Sequence, residues 1–262
     1  MRFLYIFIFI GFFCSFSVHA DTNNVQIIKD TNYIYIRSNG IPDHATGQFP
    51  NRGNPNTISA QNHVFKVPLN PVKNAKSTPQ RGTVGVALNG VPFEPGTAEL
   101  WNNDRNYNYE AINGSLNLGL DQNNAHVQPT GSYHYHGIPT ALVESGLVHI
   151  GYAADGFKIY ADGQSRYKSS YRLKKGQRAG GPSGSYDGSF GTDYEYVAAL
   201  SALDECNGAV VDGEYVYFAT EDYPFLPRCL YGNADSSFEK RGGGEMRGSR
   251  PPHRGGRPPH RH

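Results

Sequence analysis

Apolar and polar residues alternate in short runs along most of the chain, which is the pattern of half-buried strands. Two such runs, Val25-Gln-Ile-Ile-Lys and Tyr33-Ile-Tyr-Ile-Arg, flank a polar turn at residues 30–32. The run from Val84 to Phe93 is interrupted by Asn89-Gly90, and an Asn-Gly pair is a strong signal for a tight hairpin. Further strands are predicted over residues 63–68, 147–153, 157–160, 194–197 and 214–220.

No run of about twelve residues repeats with the period of a helix. We therefore predict a mainly β fold, a compact sandwich or barrel-like antiparallel sheet with long ordered loops and few short helices. Composition agrees, because 31 Gly, 17 Pro and only 18% charged residues exclude a coiled coil or a long helical bundle. The 18 Tyr, 14 Phe and one Trp are too many for a wholly disordered chain.

The two ends differ from the body of the chain. Residues 3–18 form an apolar run behind Arg2 that ends in Val18-His19-Ala20. This predicts a signal peptide over residues 1–20, with an uncleaved anchor as the alternative. Residues 240–262 are rich in Arg, Pro, His and Gly and predict a disordered basic tail. Residues 21–239 would then be an exported domain, periplasmic or secreted, with no transmembrane segment in the mature chain.

The overall charge of +1 conceals an asymmetry. The tail has seven Lys or Arg and one Glu, net +6, whereas residues 21–239 have 16 Lys or Arg and 22 Asp or Glu, net −6. Such a tail suits contact with an anionic surface, or it is a solvated extension with no partner. No specific nucleic-acid motif accompanies it.

Two cysteines remain once the predicted signal peptide is removed, Cys206 and Cys229. In an oxidising compartment an isolated pair most simply forms one disulfide. Two free buried thiols or a thiolate metal site are the alternatives.

The sharpest chemical feature is Tyr133-His134-Tyr135-His136. Side chains alternate faces along a strand, so His134 and His136 point one way and the two tyrosines point the other way. His126 lies eight residues earlier, within reach of one hairpin turn, and three imidazoles suit a divalent metal, Zn or Cu first. The alternative is a half-exposed strand with no metal. Candidate carboxylates to complete or orient such a site are Asp121, Glu99 and Asp155.

The same residues allow a second interpretation, acid–base catalysis. His134 or His136 would be the general base, with Asp155 or Glu205 as the acid, in a hydrolase acting outside the cytoplasm. Asp155 precedes Gly156 at a strand end, where turn-forming Asp residues are also common. The sequence has no nucleotide or flavin signature and no Gly-x-Ser-x-Gly motif.

A short segment recurs in the chain. Thr130-Gly-Ser-Tyr-His-Tyr-His and Val211-Asp-Gly-Glu-Tyr-Val-Tyr-Phe share Gly-x-Tyr-x-Tyr after a polar lead. Two hairpins of similar form would explain the likeness, and so would chance.

Gly131-Ser-Tyr-His-Tyr-His-Gly-Ile-Pro resembles the signature of the YHYH domain family, and further blocks resemble that family in order from about residue 35 to residue 238. One departure is Tyr215-Val-Tyr-Phe, where members often carry Tyr-His-Tyr. The resemblance implies an exported domain and no particular reaction. The other blocks are Asn54-Pro-Asn-Thr-Ile-Ser-Ala-Gln-Asn, Gly85-Val-Ala-Leu-Asn-Gly-Val-Pro-Phe, Asn123-Asn-Ala-His-Val-Gln-Pro-Thr-Gly, Gly151-Tyr-Ala-Ala-Asp-Gly-Phe, Asp193-Tyr-Glu-Tyr-Val and Leu203-Asp-Glu-Cys-Asn-Gly.

Three functions therefore compete. The first is an exported protein that binds a divalent metal through the histidines. The second is the hydrolase built on the same pocket. The third is a binding module whose Tyr- and Asn-rich loops hold glycan or a cell-surface partner.

Overall fold

The computed structural model describes residues 22–143 and 145–239. The predicted signal peptide and basic tail lie outside these residues. The described part is built from fifteen strands, with no α-helix in it. In chain order the strands are β1 Val25–Lys29, β2 Tyr33–Ser38, β3 His63–Pro68, β4 Thr78–Pro79, β5 Gly85–Ala87, β6 Pro92–Phe93, β7 Ala125–Val127, β8 Tyr133–Tyr135, β9 Leu147–Ala153, β10 Lys158–Asp162, β11 Tyr171–Leu173, β12 Tyr194–Tyr196, β13 Gly208–Val211, β14 Glu214–Ala219 and β15 Cys229–Leu230.

Helical structure is confined to short 3₁₀ turns. None of the helices in residues 22–143 and 145–239 has the length and apolar character needed to cross a membrane. The 3₁₀ turns are Trp101–Asn103, Thr140–Leu142, Gly191–Asp193 and Ser236–Phe238.

The strands form one large sheet and three small ones. Eight strands lie side by side in the order β13-β14-β10-β9-β5-β6-β8-β7, and β1-β2-β3 form a separate antiparallel sheet. One hydrophobic cluster joins the two, because Ile36 and Phe65 of the small sheet belong to the same buried cluster as Val86 and Ile159 of the large one. The remaining pairs are β11-β12 and β15-β4.

The prediction of a mainly β fold is confirmed, with two differences in detail. The large sheet is mixed, because β6 pairs with β8 and β10 pairs with β14 in parallel. Its described strands β7 and β13 have a strand partner on one side only, so this sheet does not close into a barrel.

The large sheet is two similar halves related by a pseudo-two-fold axis. We call β5, β6, β8 and β7 the first half-sheet and β9, β10, β14 and β13 the second. The halves meet at β5 and β9, where Gly85 pairs with Ala153, Val86 with Tyr152 and Ala87 with Gly151. Each half has the same strand order and the same sequence of antiparallel, parallel and antiparallel pairings, and Gly85 and Gly151 occupy equivalent places in the β5–β9 pair.

Both central glycines are required by this contact. A Cβ on Gly85 would collide with the carbonyl of Tyr152, and a Cβ on Gly151 would collide with the carbonyl of Val86. Only glycine lets the two backbones approach so closely.

The turns that follow β5 and β9 match as well. Asn89-Gly90 and Asp155-Gly156 occupy equivalent places, and both glycines have positive φ angles of 82° and 101°. The Asn89 amide donates to the Tyr135 hydroxyl at 2.9 Å, whereas the Tyr217 hydroxyl donates to the Asp155 carboxylate at 2.7 Å. Each half-sheet therefore ties its first hairpin turn to a tyrosine on its third strand.

The disulfide predicted from the two remaining cysteines is present between Cys206 and Cys229, which are 23 residues apart in sequence. Cys206 is fully buried. The bond links the segment before β13 to β15, outside the first half-sheet.

We expect the Cys206→Ala/Cys229→Ala variant to lose about 3 kcal/mol of free energy of unfolding, because the bond restricts the unfolded chain over a loop of this length. Urea denaturation of the oxidised protein and the variant measures the difference. A loss below about 1 kcal/mol would contradict the entropic argument.

Candidate functional site

Three histidines meet on one face of the β7–β8 hairpin. His126 on β7 pairs directly with His134 on β8. His136 lies two residues after His134, and its backbone N–H donates to the Asn124 carbonyl at 2.7 Å, which continues the ladder. Because side chains alternate along a strand, His134 and His136 project on the same side as His126. We call these three residues the histidine triad and this hairpin the histidine hairpin.

The triad is nearly equilateral. Each of its three ring pairs has a centroid separation of 4.7 Å. One ring nitrogen from each residue lies within 4.8 Å of the other two. His134 and His136 are buried, with 3% and 1% of their surface exposed, and His126 is half-buried. The predicted convergence of the three imidazoles is therefore what the fold produces.

Two backbone carbonyls orient the rings. Nδ1 of His126 donates to the carbonyl of Leu118 at 2.9 Å, and Nδ1 of His134 donates to the carbonyl of Ser132 at 3.3 Å. A ring with its proton on Nδ1 has a lone pair on Nε2, which is the form that binds metal.

His136 is in a different state. Within the described residues neither of its ring nitrogens makes a hydrogen bond of acceptable geometry. Burial holds the pKa of His136 well below its ordinary value, and the neighbouring His134 and His126 lower it further. The ring is therefore neutral and keeps a lone pair available, although both of its nitrogens are buried without a well-formed hydrogen bond.

The triad lines a cleft of about 480 Å³. Asn54 and Asn56 line one side of it, and Glu94, Glu99 and Gln128 add two carboxylates and an amide. No Lys or Arg of the described residues lines this cleft. The cleft is thus open to a ligand and carries no fixed positive charge.

Glu94 is held firmly in this cleft. Its two carboxylate oxygens accept hydrogen bonds from the Thr83 hydroxyl at 2.8 Å and the Gln128 amide at 2.6 Å. Glu94 and Gln128 also line a second cleft of about 730 Å³ that contains His63 and Ser132. Glu94 is not among the site residues predicted from the sequence. Its position directly after the short strand β6 is the one sequence feature that points to it.

The carboxylates predicted to complete the site lie elsewhere. Asp121 lies behind the hairpin, where its side chain accepts from the Tyr133 hydroxyl at 2.7 Å and from backbone N–H groups of Gly47 and Asn123. Asp155 belongs to the second half-sheet, buried against Tyr217. Neither carboxylate belongs to the group formed by the triad, whereas Glu99 lines its cleft.

Glu205, the other predicted acid, also lies in a different region. Its carboxylate lies close to the disulfide and accepts a hydrogen bond from the Tyr231 hydroxyl at 2.6 Å. This hydrogen bond lowers the pKa of Glu205. Among the predicted acid–base residues, the structure therefore brings only His134 and His136 together.

The tyrosines alternating with His134 and His136 face the opposite way, as expected. Tyr133 and Tyr135 are fully buried. The Tyr135 hydroxyl contacts Nε2 of His44 at 2.7 Å, and Asp43 accepts from the Asn89 amide that also binds this hydroxyl. This side of the hairpin anchors the strand to the fold.

The β13–β14 hairpin of the second half-sheet has the same framework. Asp204 matches Asp121, because each Oδ1 accepts backbone N–H groups two and four residues later and each Oδ2 accepts a tyrosine hydroxyl. Asn207 matches Asn124, with φ angles of 62° and 53°. The recurring Gly-x-Tyr-x-Tyr segment is thus a recurring hairpin.

The two hairpins differ where the histidines lie. Ala209, Val216 and Phe218 occupy the places of His126, His134 and His136, since Ala209 pairs with Val216 across the ladder. These residues contribute to a small apolar cluster with Leu203. We call β13–β14 the apolar hairpin. The departure at Tyr215-Val-Tyr-Phe belongs to it.

The family profile described as YHYH protein matches residues 64–232, more than half of the chain. The chain belongs to the YHYH family. The match covers the whole large sheet and both hairpins, and it begins in β3, later than the resemblance at residue 35 suggested. No curated protein and no solved structure matches this YHYH protein significantly.

Asp155 gives a pH-dependent prediction for stability. Burial raises its pKa above 3.8, the value expected for the unfolded chain, although four hydrogen bonds oppose the shift. The folded state therefore holds this proton more tightly, and the contribution of Asp155 to the free energy of unfolding declines as pH rises from 3.8 through the raised pKa.

We expect the wild type to lose stability relative to Asp155→Asn across this pH range, by about 1.4 kcal/mol of free energy of unfolding for each pH unit between the two pKa values. Urea denaturation of both proteins between about pH 3 and pH 8 provides the measurement. A difference that stays constant or grows with pH would contradict this account.

Proposed function

We propose that this YHYH protein binds one divalent transition metal ion, Zn²⁺ or Cu²⁺, through His126, His134 and His136. The observation that carries the proposal is the triangle of imidazoles, each ring centroid 4.7 Å from the other two, at the wall of an open cleft. Imidazole is the preferred nitrogen ligand of both ions.

The chemistry of the donor set supports this proposal. Three protein histidines with a fourth position open to the cleft are the ligand set of catalytic zinc sites, whereas structural zinc sites have four protein ligands. One of the two ring nitrogens of His136 gains a partner when an ion binds. Glu94 and Glu99 supply negative charge nearby, which favours a cation in the cleft.

The apolar hairpin supports the assignment from within the same molecule. It keeps the aspartate, the asparagine and both tyrosines, so these residues are sufficient for the hairpin framework. It replaces all three histidines by apolar residues that pack. The triad is therefore not needed to form such a hairpin, and a ligand role gives it a reason.

Export is part of the proposal. The disulfide is typical of an oxidising compartment, and the apolar run behind Arg2 is typical of a signal peptide. An extracytoplasmic protein of this kind would meet its metal outside the cytoplasm.

A hydrolase remains the second candidate, and the carboxylates at the cleft favour it. With Asp155 and Glu205 elsewhere, the acid–base partner of such an enzyme would be Glu94 or Glu99. A glycan-binding module could use only part of the tyrosine set, because Tyr133, Tyr135 and Tyr217 are fully buried and cannot stack on sugars.

We expect the mature protein, purified without a metal column, to contain about one equivalent of one transition metal by elemental mass spectrometry. Single His126→Ala, His134→Ala and His136→Ala variants should each weaken binding by more than the roughly 10–100-fold that loss of an outer-shell partner costs.

Two controls separate the triad from other histidines. His149→Ala removes a half-buried histidine of β9 that bonds to Gly151 and should leave the affinity unchanged. Replacing His253, His260 and His262 by Ala removes the histidines of the tail from the same full chain. Unchanged stoichiometry in all three triad variants would refute the proposal.

A further inference from the structure

We propose that Asn51, Asn54 and Asn56 are positioning residues that hold His126 in place for metal binding. We call these three residues the amide clamp. The inference rests on the proposed function. It identifies the residues that would hold His126 in its ligand position before the metal binds.

The first contact of the clamp is with β7 itself. This strand lies at the edge of the large sheet, so one side of its backbone has no strand partner among the described residues. The side-chain amides of Asn54 and Asn56 donate to the carbonyl of Val127 at 2.9 Å and 2.7 Å. Val127 directly follows His126, so two amide donors fix the backbone beside the ligand.

The second contact is with the segment that orients the imidazole. The Asn51 amide donates to the carbonyl of Gly119 at 3.0 Å, and the preceding carbonyl, of Leu118, accepts from Nδ1 of His126. The amide clamp therefore holds both the strand that carries His126 and the segment whose carbonyl sets the tautomer of His126.

The apolar hairpin shows that the hairpin framework does not require such a clamp. Val210 is the counterpart of Val127, because each pairs with the first tyrosine of its Gly-x-Tyr-x-Tyr segment. Val210 is 67% exposed and Val127 only 1%, and in the described chain no side chain donates to the Val210 carbonyl. Within this molecule, the clamp accompanies the histidines.

His126 is also the ligand with most need of support. His134 and His136 belong to or adjoin β8, which has β6 on one side and β7 on the other. His126 belongs to the edge strand and is the least buried of the three. A preformed site requires that this edge not fray, since each ligand must stay within a fraction of an ångström of its place.

The test uses variants of the full-length protein, among which only Asn51→Asp changes the charge. Asn56→Leu removes one donor to Val127 while keeping similar bulk, and Asn54→Leu/Asn56→Leu removes both. Asn51→Asp keeps the oxygen that accepts the N–H groups of Gly53 and Asn54 and loses the donor to Gly119. We expect each single variant to weaken Zn²⁺ binding about 10-fold and the double variant up to about 100-fold, at unchanged stoichiometry.

Spectroscopy separates positioning from general loss of stability. The visible absorption of the Co²⁺-substituted protein reports ligand geometry, and we expect its bands to shift in the clamp variants. Asn56→Gln, which keeps an amide donor, should restore both the spectrum and most of the affinity.

Asn108→Leu is the matched control. Asn108 is also half-buried, and its amide donates to the carbonyls of Thr97 and Glu99 on a part of the cleft wall that bears no histidine. This variant should lose comparable stability in urea while its Zn²⁺ affinity and Co²⁺ spectrum stay as in the wild type.

Each outcome decides one of the two claims. If the wild type binds none of Zn²⁺, Cu²⁺ and Co²⁺, the proposed function fails and the clamp fails with it. If the wild type binds metal and His126→Ala does not, but the clamp variants match the wild type in affinity and spectrum, only the clamp is overturned. Equal effects in Asn108→Leu would also overturn it.

Discussion

The direct pairing of His126 with His134 across the β7–β8 ladder is the constraint on which the candidate site depends. Because the side-chain period of a strand is two, this register also places His136 on the same face and both tyrosines on the other. A slip of one residue would exchange the two sets. The buried tyrosine side makes that slip costly, because each phenol has its own hydrogen-bonding partner in the core. The packing of the tyrosine face thus fixes which face of the hairpin carries the histidines.

Comparison of the two half-sheets separates the residues that form the hairpin framework from the histidines, which occur in one hairpin and not in the other. Each of the two hairpins has an aspartate that accepts hydrogen bonds from a tyrosine hydroxyl and from two backbone N–H groups. One hairpin then places three imidazoles at a cleft, and the other places Ala209, Val216 and Phe218 against apolar neighbours. Buried polar groups are costly unless they are satisfied, and the buried ring of His136 is the least satisfied of the three, which supports the metal-binding role that we propose for this hairpin.

Much of the fold was accessible from local sequence. The alternating runs located β1, β2, β3, β9 and β14, and Asn89-Gly90 located the hairpin between β5 and β6. The mixed pairing of the large sheet was not accessible, because the β6–β8 and β10–β14 contacts join segments far apart in the chain. The recurring Gly-x-Tyr-x-Tyr segment revealed the likeness of β8 and β14, which is one of the four pairs of equivalent strands in the two half-sheets. The equivalence of Asn89-Gly90 and Asp155-Gly156 became visible only in their matching contacts with Tyr135 and Tyr217.

The sequence by itself determined which side chains share a face, because the two-residue period acts within each strand. It thereby identified His134 and His136, and one hairpin turn brought in His126. Only the tertiary structure decided which carboxylates accompany them. Asp121 and Asp155 are bound to buried phenols, and Glu94 enters the cleft from a strand some thirty residues earlier in the chain. Such placements depend on sheet order and on competition for hydrogen-bonding partners, and neither is encoded in the spacing of residues along the chain.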